Sequence, residues 1–232
     1  VVASDLRARL QRMRGRPEGG EESPYQKARR EALAAAEREE LRLLLRAMLL
    51  AIVIAAALFL LLAGPRTDLA TVATGSPRFA LKLLLTGGML VGAAGLLLRL
   101  ARPGASPGLW RGWLIGVPLL LLLAVGLELA SLPRSQWQAS AIGHNARWCL
   151  VMIPLLGIAP LAGGLWALRQ AAPLRPGLTG AIIGLLAAGI AGFLYALHCA
   201  DDSPLFVAIW YSAATAVLAL SGALLGRWLL RW

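Results

Sequence analysis

Six runs of 18–22 residues with almost no charge fix the architecture open to this chain, at residues 45–63, 79–98, 113–130, 149–168, 178–197 and 205–226. A helix rises about 1.5 Å per residue, so ~20 residues cross a hydrocarbon core of ~30 Å. Inside lipid every backbone N–H and C=O needs an internal partner, and runs of this length meet that need as helices. With 58% hydrophobic residues, 15% charged residues and a mean hydropathy of +0.68, the 232-residue chain is too greasy for a water-soluble core. The expected fold is all-α, a polytopic membrane protein of six transmembrane helices. Residues 45–232 form the membrane domain and residues 1–44 a short cytoplasmic helical tail.

Turn-forming clusters separate the runs: "GPRTDLATVATGSP", "RLARPGASPGLWRG", "SLPRSQWQASAIGHNARW", "RQAAPLRPG" and "HCADDSP". The tail, the second and fourth of these connections and the C-terminal end together carry 18 Lys and Arg residues. The opposite side carries five: Arg66, Arg78, Lys82, Arg134 and Arg147. Basic residues accumulate on the cytoplasmic side, so both termini are expected there. No secretory cleavage site follows the first run, which should stay as an anchor. Trp110, Trp113, Trp148, Trp166 and Trp228 fall at the ends of the runs, where an indole anchors at the headgroup level.

Small residues recur every fourth position in the fifth run, at Gly180, Gly184, Ala188, Gly192 and Ala196. The spacing returns at Gly88/Gly92 and Gly222/Gly226, and such stripes let helix backbones approach within one bundle. Glu128 is the one ionisable side chain read as lying well inside a run, near its outer end, and is expected to reach headgroup water. Pro118, Pro154 and Pro160 shape helices, but no polar company marks a midplane ion path.

The chain has two Cys and two His. Cys149 opens the fourth run, Cys199 follows the fifth, and His144 and His198 adjoin them, so the topology sends all four to the outer surface. Three readings stand: a disulfide or thiol sensor, a soft-metal site for zinc, cadmium or copper, or a buried small hydrophobe beside a surface histidine. The spacing matches no standard metal motif. No Cys-x-x-Cys pair, phosphate loop or HExxH is present, so an enzyme is not expected.

Residues 1–46 hold 11 of the 23 Lys and Arg residues and 8 of the 12 acids. This interleaving suits a solvated face near anionic lipid and argues against direct nucleic-acid binding. "SDLRARLQRM" places Leu6, Leu10 and Met13 on one helical stripe after Asp5, which suits lipid-surface binding or a docking peptide for a cytoplasmic partner. "GRPEGGEESP" breaks it as a linker. Residues 25–46 are rich in helix formers and should run on into the first span.

Residues 55–232 resemble the NrsF family, negative regulators of sigma-F, six-span inner-membrane anti-sigma proteins. The marks are the lone Cys149, "LRPGLTG", and His198-Cys199 followed by Asp202-Ser203-Pro204 and Trp210. "GPRTDLATVATGSPRFALKLLLTGG" and "GALLGRWLLRW" support them. The resemblance implies a bacterial inner-membrane protein that sequesters an extracytoplasmic-function sigma factor. It also implies that Cys149 and Cys199 fall on the family's cysteine pair and sense an outer stress such as heavy metal. Asp5, Leu6, Leu10 and Met13 are the expected sigma-docking residues. A small transporter or metal-export accessory protein is the alternative.

Overall fold

The computed structural model describes residues 24–100, 108–169, 173 and 175–230. Among these described residues, six helices are long and apolar enough to cross a membrane. They are α1 (Pro24–Leu62), α3 (Pro77–Leu100), α4 (Gly108–Ser131), α6 (Ala146–Leu168), α7 (Pro176–Ala196) and α8 (Pro204–Leu229). Short helices α2 (Leu69–Gly75) and α5 (Arg134–Ile142) lie in the first and third connections. Both replace what the sequence presents as plain turn clusters. Their prolines lie outside the helices, and "LATVATG" and "RSQWQASAI" consist mostly of helix-tolerant residues. The expected run from residue 25 into the first span is found as one helix, α1. The chain divides into two compact units between Arg38 and Glu39, and the helix bundle belongs to the second.

Helix α7 is the centre of the bundle, packed by α8, α3 and α6. Its small-residue stripe is the reason. A β-carbon added at Gly180 would collide with the carbonyl of Gly222, and one added at Gly222 would meet that of Gly180. At Gly226 it would lie 2.6 Å from the Pro176 oxygen, and at Gly189, 2.7 Å from the Leu90 backbone. The expected seam therefore operates within the chain. In α1, Leu44, Met48, Ala51, Ala55 and Phe59 form a buried stripe; Ala51 and Met48 meet Gly163 and Gly164 of α6.

Helix α4 is the peripheral one, with only Ala124 and Glu128 buried. Leu119, Leu122, Leu123 and Leu127 are exposed along it, as a lipid-facing helix requires. Trp110 and Trp113 do more than anchor at an interface. Trp110 covers Gly95, Trp113 covers Gly92, and Trp113 Nε1 donates to the Gly88 carbonyl over 2.8 Å. The glycines of α3 thus form the seat for α4.

Helix α8 opens as Pro204–Phe206, passes through a π-helical segment at Val207–Tyr211 and continues as Ser212–Leu229. A π segment carries one extra residue per turn and re-aims side chains, often at functional sites. Here it is flanked by buried Phe206 and contains buried Val207 and Tyr211.

Candidate functional site

The connections after α1, α4 and α7 meet at one end of the bundle and lock together through charge. Helix α7 ends as His198 and Cys199 donate their backbone N–H groups to the Tyr195 carbonyl, at 3.0 and 2.9 Å. The chain then turns through Ala200, Asp201, Asp202 and Ser203 into α8, and each polar residue of that turn is tied elsewhere.

Lys82 of α3 is only 1% exposed. Its ammonium donates to the carbonyls of Cys199 (2.7 Å) and Asp201 (3.3 Å) and forms an ion pair with Asp202. Asp202 also accepts from Arg66 at 3.0 Å, and Arg66 forks onto Asp68 at 2.6 and 2.8 Å. The Arg66 hydrogen bond holds the Asp68 carboxyl below its usual range, and Asp68 and Asp202 together push the guanidinium upward. The four side chains form a chain of alternating charge, Lys82–Asp202–Arg66–Asp68.

Asp201 serves another helix. Asn145 supplies no side-chain cap to α6; instead one oxygen of Asp201 accepts from the backbone N–H of His144 (3.0 Å), that of Asn145 (2.8 Å) and the Asn145 amide (3.0 Å). A carboxylate at a helix N-terminus satisfies orphan donors and opposes the dipole. The turn that allows this approach contains Gly143 at φ +56°, whose missing β-carbon leaves room for the Phe206 ring and the Asp201 carboxyl.

Glu128 is a correction to the sequence reading. It does not reach headgroup water: it is 4% exposed and accepts from Ser203 Oγ and the Leu205 N–H, both at 2.9 Å, with Arg78 at 3.3 Å. It binds the start of α8 for the same dipolar reason as Asp201 binds α6. Glu128→Ala would leave the Leu205 N–H and the Ser203 hydroxyl without this partner, at about 1–3 kcal/mol for each group kept dry. Because α4 buries so little else, hydrogen exchange by mass spectrometry is expected to show faster exchange in α4 and at residues 203–206, with α7 unchanged.

Beneath this cap lie the sulfurs. Cys149 Sγ and Cys199 Sγ are 4.0 Å apart, both thiols are free, and both residues are 0% exposed. The two thiols are thus buried rather than open to solvent, and they are brought together. The turn from Cys199 to Ser203 folds back over them, drawn down by Lys82 and by the N-terminus of α6. Cys199 Sγ also lies 3.9 Å from the Asp201 carbonyl. The Cys199 thiol is held below the ordinary thiol value, first by the hydrogen bond from Cys149 and then by the Lys82 charge, against burial. Tyr195 and Tyr211 stack near one another with ring centroids 6.3 Å apart, and both hydroxyls are buried without a hydrogen-bond partner.

The histidines do not complete a cluster with the thiols. His144 is 96% exposed with Nδ1 3.4 Å from Asp201, while His198 Nδ1 donates to the Gly64 carbonyl over 2.9 Å. Among the described residues no group of three or more His, Cys, Asp or Glu side chains is arranged to hold a metal ion. The four expected residues separate into a thiol pair and two histidines with other partners. Asp5, Leu6, Leu10 and Met13 lie outside the described residues. Sequence reasoning gave Lys82, Arg66, Asp201 and Asp202 no part in the site, although Asp202 stood among the family marks and Lys82 lies four residues into an apolar run.

Fold and site together define a polytopic, all-helical membrane protein with a buried dithiol locked under an ion-paired cap. The family model described as negative regulator of sigma F, NrsF, matches residues 30–232, and the chain belongs to that family. It is 42% identical over 172 residues to the anti-sigma-F factor NrsF of Caulobacter vibrioides (strain NA1000 / CB15N), covering 72% of this chain and 78% of the relative. It is 32% identical over 179 residues to the probable anti-sigma-F factor NrsF of Azospira oryzae (strain ATCC BAA-33 / DSM 13638 / PS), covering 75% and 82%. No solved structure matches the chain significantly.

Proposed function

We propose that this chain is an anti-sigma factor of the bacterial inner membrane, with both termini in the cytoplasm. It holds an extracytoplasmic-function sigma factor inactive there and releases it when Cys149 and Cys199 respond to metal or redox stress on the outer side. Family membership supports the anti-sigma role, and the distribution of 18 against five basic residues supports the orientation. The observation that carries the sensing role is the 4.0 Å contact between two buried thiols from different helices.

Chemistry at that contact has somewhere to go. A disulfide needs the sulfurs at about 2.05 Å, so its formation draws Cys199 and Cys149 together. The Cys199 carbonyl is held by Lys82 and its neighbour Asp201 caps α6, so a shift there loads α3, α6 and α8 at once. Signalling then requires two bundle arrangements that differ in affinity for the sigma factor. Asp5, Leu6, Leu10 and Met13 are the proposed docking residues.

A reporter driven by the sigma factor's promoters tests this. Cys149→Ser/Cys199→Ser should keep basal repression and lose induction by cadmium or oxidant. Induction that survives both substitutions removes the sensing role. Deletion of residues 1–24 should release repression altogether, and co-purification of a sigma factor from solubilised membranes should fail with it.

A further inference from the structure

Helices α6 and α8 meet at Gly157 and Leu218, where a β-carbon added to the glycine would lie 2.5 Å from Leu218 Cδ1. Beside that contact runs an apolar groove of about 650 Å³ between the two helices. Buried Leu161, Leu165 and Leu218 line its inner side, while Ile158, Val217 and Leu225 line it and stay exposed. Along α8 the groove extends from Val217 to Leu229. At about 1.5 Å per residue that is roughly 18 Å, a little more than one leaflet of a ~30 Å hydrocarbon core.

One end of the groove is polar. Trp166 and Arg169 line it there, three residues apart on one face of α6, and both are exposed. Among the described residues the Arg169 guanidinium has no ion pair or hydrogen bond, and the Trp166 indole N–H has no acceptor. A basic side chain at a helix C-terminus often caps the last carbonyls. Arg169 does not: only its backbone N–H is engaged, by the Trp166 carbonyl at 3.3 Å. No Asp or Glu lines the groove, so the cation there is uncompensated. An apolar channel of leaflet length that ends at an unpaired guanidinium is complementary to a hydrocarbon chain with an anionic headgroup. The planar fork of an arginine matches phosphate oxygens, and an indole donor belongs at the headgroup level.

We propose that this groove binds one anionic phospholipid, with an acyl chain between α6 and α8 and the phosphate on Arg169. The chain covers Ile158, Val217 and Leu225, which the protein itself leaves open. The headgroup is chosen by charge, since one basic residue near the surface favours anionic over zwitterionic lipid by about fivefold. Lipid binding here needs neither the thiol pair nor a sigma factor. It therefore stands or falls apart from the function proposed above.

The test places the full-length chain in vesicles of equal parts phosphatidylglycerol and phosphatidylethanolamine. The chain is extracted in mild detergent, and the lipid it retains is identified by native mass spectrometry. One tightly held phospholipid per chain is expected, with phosphatidylglycerol favoured about fivefold. Arg169→Gln should bring that preference down to the composition of the vesicle. Arg175→Gln, in the same connection between α6 and α7 but outside the groove, should leave it unchanged. Ala162→Phe fills the groove from an exposed position and should lose the retained lipid of both kinds. Should Ala162→Phe not fold, the contrast between Arg169 and Arg175 decides alone. Retention by the parent chain in proportion to the vesicle means an unselective lipid annulus only and overturns the site. Equal loss of preference in Arg169→Gln and Arg175→Gln assigns it to general surface charge and overturns it too, as does unchanged retention by a folded Ala162→Phe chain.

Discussion

Lys82→Met should collapse the cap. Among the described residues, the ammonium is the only group that ties Asp202 and the carbonyls of Cys199 and Asp201 to α3. Removing one partner of a buried ion pair costs about 3–5 kcal/mol, because the remaining charge stays dry and unpaired. Arg66 moderates the loss, since it keeps a grip on Asp202 at 3.0 Å. The expected result is a lower thermal midpoint in detergent and faster hydrogen exchange at residues 198–206. Thiol reactivity should also change. With the cation gone, Cys199 loses one of the influences that lower its pKa, so the pH profile of its alkylation moves to higher pH. Adding Asp202→Asn to Lys82→Met removes the stranded charge and should restore part of the stability. A single variant as stable as the parent would show that the lysine does not hold the turn.

Gly222→Leu should be as damaging for a different reason. In α7 and α8 the backbones themselves touch, Gly180 against Gly222 and Gly226 against Pro176. A side chain there meets a carbonyl, which cannot rotate away as a flexible side chain would. Overpacking costs about 1–3 kcal/mol even where neighbours can adjust, and here they cannot. Folded yield in membranes and resistance to trypsin should both fall sharply. Gly116→Leu is the control. Nothing lies within 4 Å of an added β-carbon at that lipid-facing position of α4, so the bundle should tolerate it. Equal behaviour of the two variants would contradict the assignment of the seam.

These effects divide the molecule into what the sequence displays and what it conceals. The six spans are legible because a run of about 20 apolar residues has few other stable homes. The glycine seam is legible because residues four apart share a helix face. The nearness of Cys149 and Cys199 follows from topology, since adjacent antiparallel helices end side by side. The cap is not legible in the same way. Lys82 and Asp202 are 120 residues apart in the sequence, and in a count of charges by side Lys82 is simply one basic residue near a helix end. Glu128 is similar, because its partners Ser203 and Leu205 lie 75 and 77 residues further on. Pairing over such separations depends on how the turn after Cys199 folds. That turn also buries the sulfurs, which hydropathy alone had placed in the open.

The same burial gives the thiol pair its proposed role. Free surface cysteines would react without moving anything, whereas buried sulfurs beside the Lys82 and Asp201 contacts cannot change their bonding without disturbing the helices those residues tie. The central claim is that the bonding state of this pair sets the affinity for the cytoplasmic partner. The most direct measurement compares sigma factor captured by the full-length chain in nanodiscs, with the cysteines reduced or joined as a disulfide. Joining them should weaken binding about tenfold, a coupling of ~1.4 kcal/mol, and reduction should restore it. Equal capture by the two forms, with disulfide formation verified by mass spectrometry, would contradict it.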